Sequence, residues 1–197
     1  GPYHSQTNEA WFTHTPGLKV VYPSSCYDAK GLLLAAFEDP NPVLFFEHKA
    51  MYRSLSEEIP DGYYTVAIGK ANVVRAGEEV SIITYGMGVH WAKEITEELQ
   101  LDAEILDLRT LSPLDWDAVG TTVLRTGKVI VLHEDVMQGG IGGDIAAYIS
   151  EHYFQSLDAP VVRCASLNTP VPFDARLEQN YLPKDRFKKK LADLAAY

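Results

Sequence analysis

The sequence lacks the features that several classes of protein require. No apolar run approaches the roughly 20 residues that cross a bilayer, so no membrane helix is predicted. The 17 basic residues are outnumbered by 27 acidic residues, and the net charge of −10 disfavours a nucleic-acid-binding protein, which needs a basic face. The two cysteines, Cys26 and Cys164, have neither metal-ligand nor redox spacing. We interpret them as structural thiols in a reducing compartment.

The sequence also lacks an initial methionine, and no basic region followed by an apolar one opens it, so no signal peptide is predicted. What it contains is typical of a globular protein: 46% of its 197 residues are hydrophobic and 22% are charged. That length suits one or two domains. The basic run Lys188–Lys190 is interpreted as the solvated face of a helix.

Helical and strand-like segments alternate along the chain, which is typical of an α/β protein with a mostly parallel sheet. Strands are predicted at 18–22, 43–47, 71–75, 80–85, 103–108, 128–132 and 161–165. Helices are predicted at 8–14, 26–38, 89–99, 115–124, 141–154 and 184–196. The segment 48–70 has no clear period and is predicted to be a linker with short ordered pieces.

This pattern predicts a chain of two unequal parts. Residues 71–197 contain enough strands and helices for a complete α/β domain. Residues 1–65 offer only two strands of the buried, apolar type, and a sheet that small is rarely stable alone. We therefore expect the earlier portion of the first domain to lie outside this sequence.

Three histidines occupy positions at which α/β proteins often bind ligands. His4 lies in a polar loop before a helix, where an imidazole can act as an acid or base near neutral pH. His48 and His133 each follow an apolar strand, and the carboxyl ends of strands are common ligand sites. The alternatives are a surface or capping role for His4 and salt-bridged strand edges for the other two.

A glycine-rich loop and an arginine also follow predicted strands. The loop, Gln138–Asp144, has neither the Lys-Ser/Thr pair of a P-loop nor the spacing of a dinucleotide fingerprint. Asp144 would repel an anion at the start of the next helix, so we favour a tight turn that lets helix and sheet approach closely. Arg109 is either an anion ligand or a contact between domains, and we favour the contact.

Eight short motifs occur in one order along the whole chain. They are Tyr-His-Ser-Gln at 3–6, Glu-Ala-x-Phe at 9–12, Pro-Gly-Leu-Lys-Val-Val at 16–21, Ala-Lys-Gly-Leu-Leu at 29–33, Glu-Asp-x-Asn-Pro at 38–42, Phe-Phe-Glu at 45–47, Asp-Leu-Arg-Thr-Leu-Ser-Pro at 107–113 and Asn-Thr-Pro-Val-Pro at 168–172. Each motif alone is weak. The ordered set resembles the beta subunits of thiamine-diphosphate-dependent 2-oxo-acid dehydrogenases of the branched-chain and pyruvate types.

The resemblance implies an α/β fold in two domains. Residues 71–197 would form a three-layer, mostly parallel sheet of the transketolase C-terminal type, and residues 1–65 the end of a pyrimidine-binding domain. In such enzymes thiamine diphosphate with Mg²⁺ decarboxylates a 2-oxo acid, and the acyl group passes to a lipoyl arm of the transacylase core. Overall similarity favours branched-chain 2-oxo acids over pyruvate and acetoin.

The resemblance also implies roles for particular residues. His4 matches the active-site histidine of the family, which is thought to transfer a proton or orient the lipoyl group, and Tyr3 lies beside it near the thiamine. Ala36, Asp39 and Asn41 match a loop whose backbone carbonyls bind potassium, a hard cation that suits oxygen ligands.

Two components of the family's active site are missing from this sequence. The glutamate that activates the aminopyrimidine ring would precede Gly1, and the Gly-Asp-Gly motif for magnesium and diphosphate belongs to the alpha half. The resemblance therefore implies a fragment that binds the cofactor weakly or not at all and is inactive alone. Its partners would be the alpha half, a second beta half, and the transacylase core, which acidic residues such as Asp193 would dock. Such enzymes are cytoplasmic in bacteria and occupy the mitochondrial matrix in eukaryotes.

Two other functions stay open from the sequence. Residues 71–197 would also suit a non-catalytic assembly or docking domain. A relative of transketolase or of deoxyxylulose-phosphate synthase would share the C-terminal fold. The motifs at 3–6 and 38–42 favour the dehydrogenase.

Overall fold

The first part of the chain contributes two parallel strands and three helices. The computed structural model describes residues 4–197, so Tyr3 lies outside the described residues. The elements are α1 (Glu9–Thr13), β1 (Lys19–Val21), α2 (Cys26–Glu38), β2 (Val43–Phe45) and α3 (Met51–Ser54). Ser25 caps α2, because its hydroxyl accepts a hydrogen bond from the backbone N–H of Asp28 at 3.0 Å.

The second part forms a five-stranded sheet. In the order of the sheet its strands are β3 (Asn72–Arg75), β5 (Ala103–Asp107), β4 (Val80–Thr84), β7 (Val129–Val136) and β8 (Val162–Ser166). β3 runs antiparallel to β5, and the other pairs are parallel. Its helices are α4 (Met87–Leu99), α5 (Trp116–Thr126), α6 (Gly142–Tyr153), α7 (Ala175–Tyr181) and α8 (Lys184–Ala195), with a 3₁₀ turn at Phe154–Ser156.

Helices cover both faces of this sheet. α5 and α6 belong to one apolar cluster with Ile83 of β4, and α4 and α8 belong to another with Ile82 of the same strand. Since both faces are covered, every residue of β4 and β5 is buried. The predicted three-layer, mostly parallel α/β architecture is thereby confirmed.

A short strand joins the two parts of the chain. β6 (Thr110–Ser112) comes from the second part in sequence but pairs antiparallel with β1, so the small sheet has the order β2-β1-β6. Val20 and Tyr22 at the end of β1 pack in the same buried cluster as Leu106 of the large sheet. The two parts of the chain therefore share one hydrophobic core.

Several sequence predictions were wrong in detail. The segment 48–70 contains α3, in line with the predicted linker with short ordered pieces, but β2 is half-buried rather than fully buried. The strand predicted at 128–132 extends to Val136, which places His133, Glu134 and Asp135 within β7. β6 and α7 were not predicted at all. Among the described residues, no helix combines the length and apolar character that crossing a membrane requires.

Candidate functional site

A cleft of about 450 Å³ opens where the two parts of the chain meet. Most of its lining comes from the loop before α1 and the segment that follows β2, and single residues come from the end of β1, from β7 and from α7. Its lining residues are His4, Ser5, Gln6, Thr7, Asn8, Tyr22, Phe46, Glu47, His48, Lys49, Ala50, Glu134 and Glu178. The structure thus brings His4 and His48, which are far apart in sequence, to one cavity.

His48 bridges the two parts of the chain in this cleft. Its Nε2 lies 2.9 Å from a carboxylate oxygen of Glu134 on β7, in a half-buried ion pair. Burial alone would lower the pKa of His48, but the hydrogen bond and the negative charge of Glu134 outweigh it and raise the pKa. The salt-bridge interpretation is therefore correct for His48, although its partner comes from β7 and not from a neighbour in sequence.

Two buried polar atoms in the cleft have no hydrogen-bond partner. They are Nδ1 of His48 and Oδ1 of Asn8, and both residues line the cavity. A buried polar atom without a partner costs about 1–3 kcal/mol, so such atoms in a cleft favour ligand binding. With Nε2 engaged by Glu134, the free Nδ1 of His48 points to an exchange of hydrogen bonds with a bound molecule.

Aromatic rings form the inner wall of the cleft. Tyr22 follows β1, and its ring stacks on Phe46 with centroids 5.7 Å apart and planes inclined by 14°. On its other side Tyr22 contacts Tyr85 at the end of β4, with centroids 5.4 Å apart. Tyr22 and Phe46 both line the cavity, so its inner wall is aromatic.

Directly behind the aromatic wall lies a carboxyl group that is completely buried. Glu9 accepts a hydrogen bond of 2.6 Å from the hydroxyl of Tyr85 and a second one from the hydroxyl of Thr7. Burial raises the pKa of Glu9 to about 7, and the negative charge of Asp135 on β7 adds to the effect. The carboxyl therefore exchanges its proton in the neutral range.

The glycine-rich loop lies against His133 and serves packing, as the sequence interpretation favours. His133 is buried, with Nδ1 3.1 Å from the carbonyl oxygen of Asp135, and burial lowers its pKa to about 4. A Cβ on Gly140 or Gly142 would stand 2.7 or 2.6 Å from the imidazole. Only glycine allows the start of α6 to approach β7 this closely.

Arg109 makes the domain contact that the sequence interpretation favours. Its backbone has φ of +53°, and its guanidinium donates to Asp28 of α2 at 2.8 Å and to the carbonyl oxygens of Lys70 and Ala71 at 3.1 Å. Next to it, the buried carboxylate of Asp107 accepts hydrogen bonds from the Ser24 hydroxyl and, at 3.1 Å, from the backbone N–H of Arg109 itself. These contacts fix the second part of the chain against α2.

The predicted potassium-binding positions lie together at the end of α2. Ala36 is in its last turn, Asp39 is the C-cap, and Asn41 donates to the Asp39 carboxylate from its backbone at 2.9 Å. The ammonium of Lys19 also pairs with that carboxylate. Within residues 4–197, no group of three or more His, Cys, Asp or Glu side chains is arranged to hold a metal ion.

Sequence reasoning missed several residues of the cleft. Thr7 and Asn8 belong to the loop that carries His4, Glu9 begins α1, and Tyr22 and Tyr85 each follow a strand directly. The rule that singled out the histidines, a polar residue at the carboxyl end of a strand, would have identified both tyrosines. No local signal marks Glu9, because an acid in the first turn of a helix is usually exposed.

Two known protein families match this chain. Residues 69–186 match the family described as transketolase, C-terminal domain, and residues 1–54 match the transketolase pyrimidine-binding domain. The chain belongs to the transketolase C-terminal domain family. Both matches contribute to the cleft: its loop and aromatic wall lie mainly in the pyrimidine-binding match, and Glu134 lies in the C-terminal match.

Several curated relatives of this transketolase-family chain are beta subunits. It is 44% identical to the 2-oxoisovalerate dehydrogenase subunit beta of Bacillus subtilis, over 99% of this chain and 61% of the relative. It is 47% identical to the acetoin:2,6-dichlorophenolindophenol oxidoreductase subunit beta of Cupriavidus necator, over 91% and 54%. It is 44% identical to the pyruvate dehydrogenase E1 component subunit beta of Bacillus subtilis, over 93% and 57%. The chain thus spans little more than half the length of these relatives.

A solved structure shares the fold. It is described as a split gene transketolase, an inactive beta4 tetramer, with a TM-score of 0.76 and 23% sequence identity over 95% of this chain and 60% of that one. At this identity the likeness supports the fold of the transketolase family and nothing finer.

Proposed function

We propose that this chain is the C-terminal part of the beta half of a thiamine-diphosphate-dependent 2-oxo-acid dehydrogenase. The observation that carries the proposal is the cleft between the two parts of the chain, where His4, His48 and Glu134 converge on a stacked aromatic wall. Similarity to beta subunits named for 2-oxoisovalerate and pyruvate supports the reaction class. The proposed reaction is oxidative decarboxylation of a 2-oxo acid with transfer of the acyl group to a lipoyl domain.

The residues of the cleft fit one portion of thiamine diphosphate. The stacked rings of Tyr22 and Phe46 suit an aminopyrimidine ring, and the unpartnered atoms of Asn8 and His48 suit its polar edge. The acidic lining from Glu47, Glu134 and Glu178 does not suit a diphosphate, so we assign that group and its Mg²⁺ to the alpha half. When bound, thiamine diphosphate would supply a nucleophilic carbanion and an electron sink for decarboxylation.

The chain's own residues would bind, orient and move protons. His4 is exposed at the mouth of the cleft, where an imidazole can deliver a proton to, or take one from, an incoming lipoyl group. Glu134 would hold the imidazole of His48 in a fixed orientation through its Nε2. The aromatic wall excludes water from the inner end of the cleft.

Finer assignments follow from the same proposal. We assign residues 1–65 to the pyrimidine-binding domain and 71–197 to the transketolase-like C-terminal domain, with Tyr3 beside the thiamine. The turn after α2, with Ala36, Asp39 and Asn41, is the proposed potassium loop. The partners would be an alpha half, a second beta half and a lipoyl transacylase core, in the bacterial cytoplasm or the mitochondrial matrix. The proposed substrate is a branched-chain 2-oxo acid, and a comparison of 2-oxoisovalerate, pyruvate and acetoin would test it.

The first test of the proposal is isothermal titration of thiamine diphosphate with Mg²⁺. The titration is made into the chain alone and into the chain combined with an alpha half and the remaining beta segment. Binding and activity in the combined sample only would support a shared site. Tight binding to the chain alone, or no activity on any 2-oxo acid after combination, would overturn it.

Within the combined enzyme, we expect His4→Ala to slow reductive acylation of a lipoyl domain. General acid–base catalysis typically contributes about 10²–10⁴-fold, which sets the range of the loss. His14→Ala is the control, because His14 is also exposed but lies outside the lining of the cleft. Equal acylation rates in the two variants would remove the assigned role of His4.

A further inference from the structure

A second cavity, of about 630 Å³, opens between the two parts of the chain at the start of α2. The first part lines it with the segments 24–28 and 55–57, and the second part with 72–74, His90, Lys93 and Arg109. None of these described residues also lines the cleft beside the loop before α1. Its volume lies within the range of about 300–1,000 Å³ that is typical of small-molecule sites.

The wall from the second part is basic. His90 and Lys93 lie one turn apart on α4, and Arg109 follows β5. Lys93 is exposed, and no acid among residues 4–197 pairs with it. Arg109 donates hydrogen bonds to Asp28 and to two backbone carbonyls, so two of the five guanidinium N–H groups are left for a ligand. The described lining from the second part contains no acid to balance these charges.

Two acids line the cavity from the first part, and they differ in their contacts. Asp28 is engaged at both carboxylate oxygens, which accept hydrogen bonds from Arg109 at 2.8 Å and from the Ser25 hydroxyl at 3.0 Å. Glu57 lies exposed on the loop after α3, and its carboxylate accepts a hydrogen bond of 3.1 Å from the backbone N–H of Tyr27. Because Tyr27 is in the first turn of α2, this carboxylate occupies a position that favours an anion.

An external anion can replace Glu57 at this position. Withdrawal of Glu57 breaks one exposed hydrogen bond, and the segment that carries it belongs to no helix or strand. Without Glu57 the lining has an excess of positive charge, since Arg109 and Asp28 neutralise each other and Lys93 has no acid. A phosphate group carries a charge of about −1.5 to −2 and three acceptor oxygens, so it interacts more strongly with these donors than a single carboxylate does.

We propose that the cavity between α2 and α4 binds a small phosphate monoester, whose phosphate displaces Glu57 and contacts Lys93 and Arg109. The partly exposed side chains of Tyr27 and Val73 offer apolar surface to the organic part of the ligand. Because Arg109 also holds α2 against the second part, the ligand would tighten the contact between the two parts of the chain. The inference goes beyond the proposed function and does not depend on it.

A titration of phenyl phosphate into the ¹⁵N-labelled chain, followed by amide NMR, tests the site. We expect saturable shifts of the Tyr27 amide and of amides in the other lining segments. Phenol has the same ring without the charge and should cause no saturable shift at Tyr27. Inorganic phosphate should shift the same amides with lower affinity, because it lacks the part that contacts Tyr27 and Val73.

Two substitutions should change the affinity for phenyl phosphate in opposite directions. Lys93→Gln removes a charge that contacts the phosphate and should weaken binding by about 3- to 10-fold. Its control is Lys189→Gln, which changes the net charge equally but alters an exposed residue of α8 outside the lining. This control should bind like the wild type.

Glu57→Gln should strengthen binding by a similar factor. Its amide oxygen can still accept from the Tyr27 N–H, but it no longer competes as an anion. Glu58→Gln is the matched control, since it makes the same change in net charge at an exposed neighbour that does not line the cavity. A gain in affinity restricted to Glu57→Gln would show displacement of this carboxylate and exclude a general effect of charge.

Three results would overturn the inference: no saturable shift of the Tyr27 amide at millimolar phenyl phosphate, equal binding of phenol, or equal affinities in Glu57→Gln and Glu58→Gln. None of these measurements needs thiamine diphosphate or an alpha half. They can fail while the combined enzyme is active and succeed while it is inactive, so failure of the inference and failure of the proposed function are distinguishable.

Discussion

The carboxyl of Asp107 should make this protein less stable as pH rises. Asp107 ends β5, is completely buried, and is hydrogen-bonded to the Ser24 hydroxyl and the backbone N–H of Arg109. Burial raises its pKa from 3.8 to about 7, and the nearby charge of Asp28 adds to the rise. The folded state therefore holds a proton that the unfolded state has released, and stability falls between about pH 4 and 7.

The size of this effect follows from the two pKa values. The difference between about 7 in the fold and 3.8 in the unfolded chain corresponds to about 4 kcal/mol at pH above both values. Asp107→Asn removes the titration. Its stability relative to the wild type should therefore rise with pH by about that amount across the window. A constant offset, from the amide group that Asn introduces, leaves this slope unchanged.

Urea unfolding at a series of pH values measures the prediction. The wild-type curve also contains Glu9, whose raised pKa acts in the same direction, and His133, whose lowered pKa of about 4 acts in the opposite one. Both cancel in the difference between variant and wild type. Asp193→Asn, which removes an exposed carboxylate from α8, is the control. A pH-independent difference for Asp107→Asn, or the same slope in the control, would refute the reasoning.

Two further predictions concern β7. Gly142→Ala should lower the free energy of unfolding, measured with urea, by about 1–3 kcal/mol, because its Cβ would stand 2.6 Å from the His133 imidazole. The control is Gly62→Ala, which should lower it far less because nothing lies within 4 Å of the added Cβ. Equal losses in the two variants would contradict the packing role of the glycine-rich loop. Glu134→Gln should lower the pKa of His48 in an NMR titration, since the carboxylate raises it in the wild type, and an unchanged imidazole titration would exclude the ion pair.

The parts of the fold that the sequence predicts are those with a strong local pattern. β4 and β5 are buried throughout because helices cover both of their faces, and their apolar centres, Ile82-Ile83 and Ile105-Leu106, stand out in the sequence. α4 and α5 were predicted at 89–99 and 115–124, and both are amphipathic, with buried residues such as Val89 and Val119. The order of these elements was sufficient to predict the α/β architecture.

What the sequence could not predict depends on distant partners. β6 has only three residues, and its pairing with β1 is decided by the packing of the two parts, not by its own composition. The contact between His48 and Glu134 joins residues 86 positions apart. Pattern reasoning placed each residue at the end of a strand but had no means of placing the two strand ends together. α7 is a short helix whose one clear signal is the N-cap Asp174.

Two buried acids, Glu9 and Asp107, make hydrogen bonds across the contact between the two parts of the chain. Glu9, in the first part of the chain, accepts a hydrogen bond from Tyr85 in the second part. Asp107, in the second part, accepts one from Ser24 in the first part. Each destabilises the fold when ionised, so stability alone would favour Gln and Asn at these positions. Glu9 accepts a hydrogen bond from Thr7, which lines the cleft, and Asp107 accepts one from the backbone N–H of Arg109. We therefore expect any change that loosens this contact to alter the cleft before it unfolds the chain.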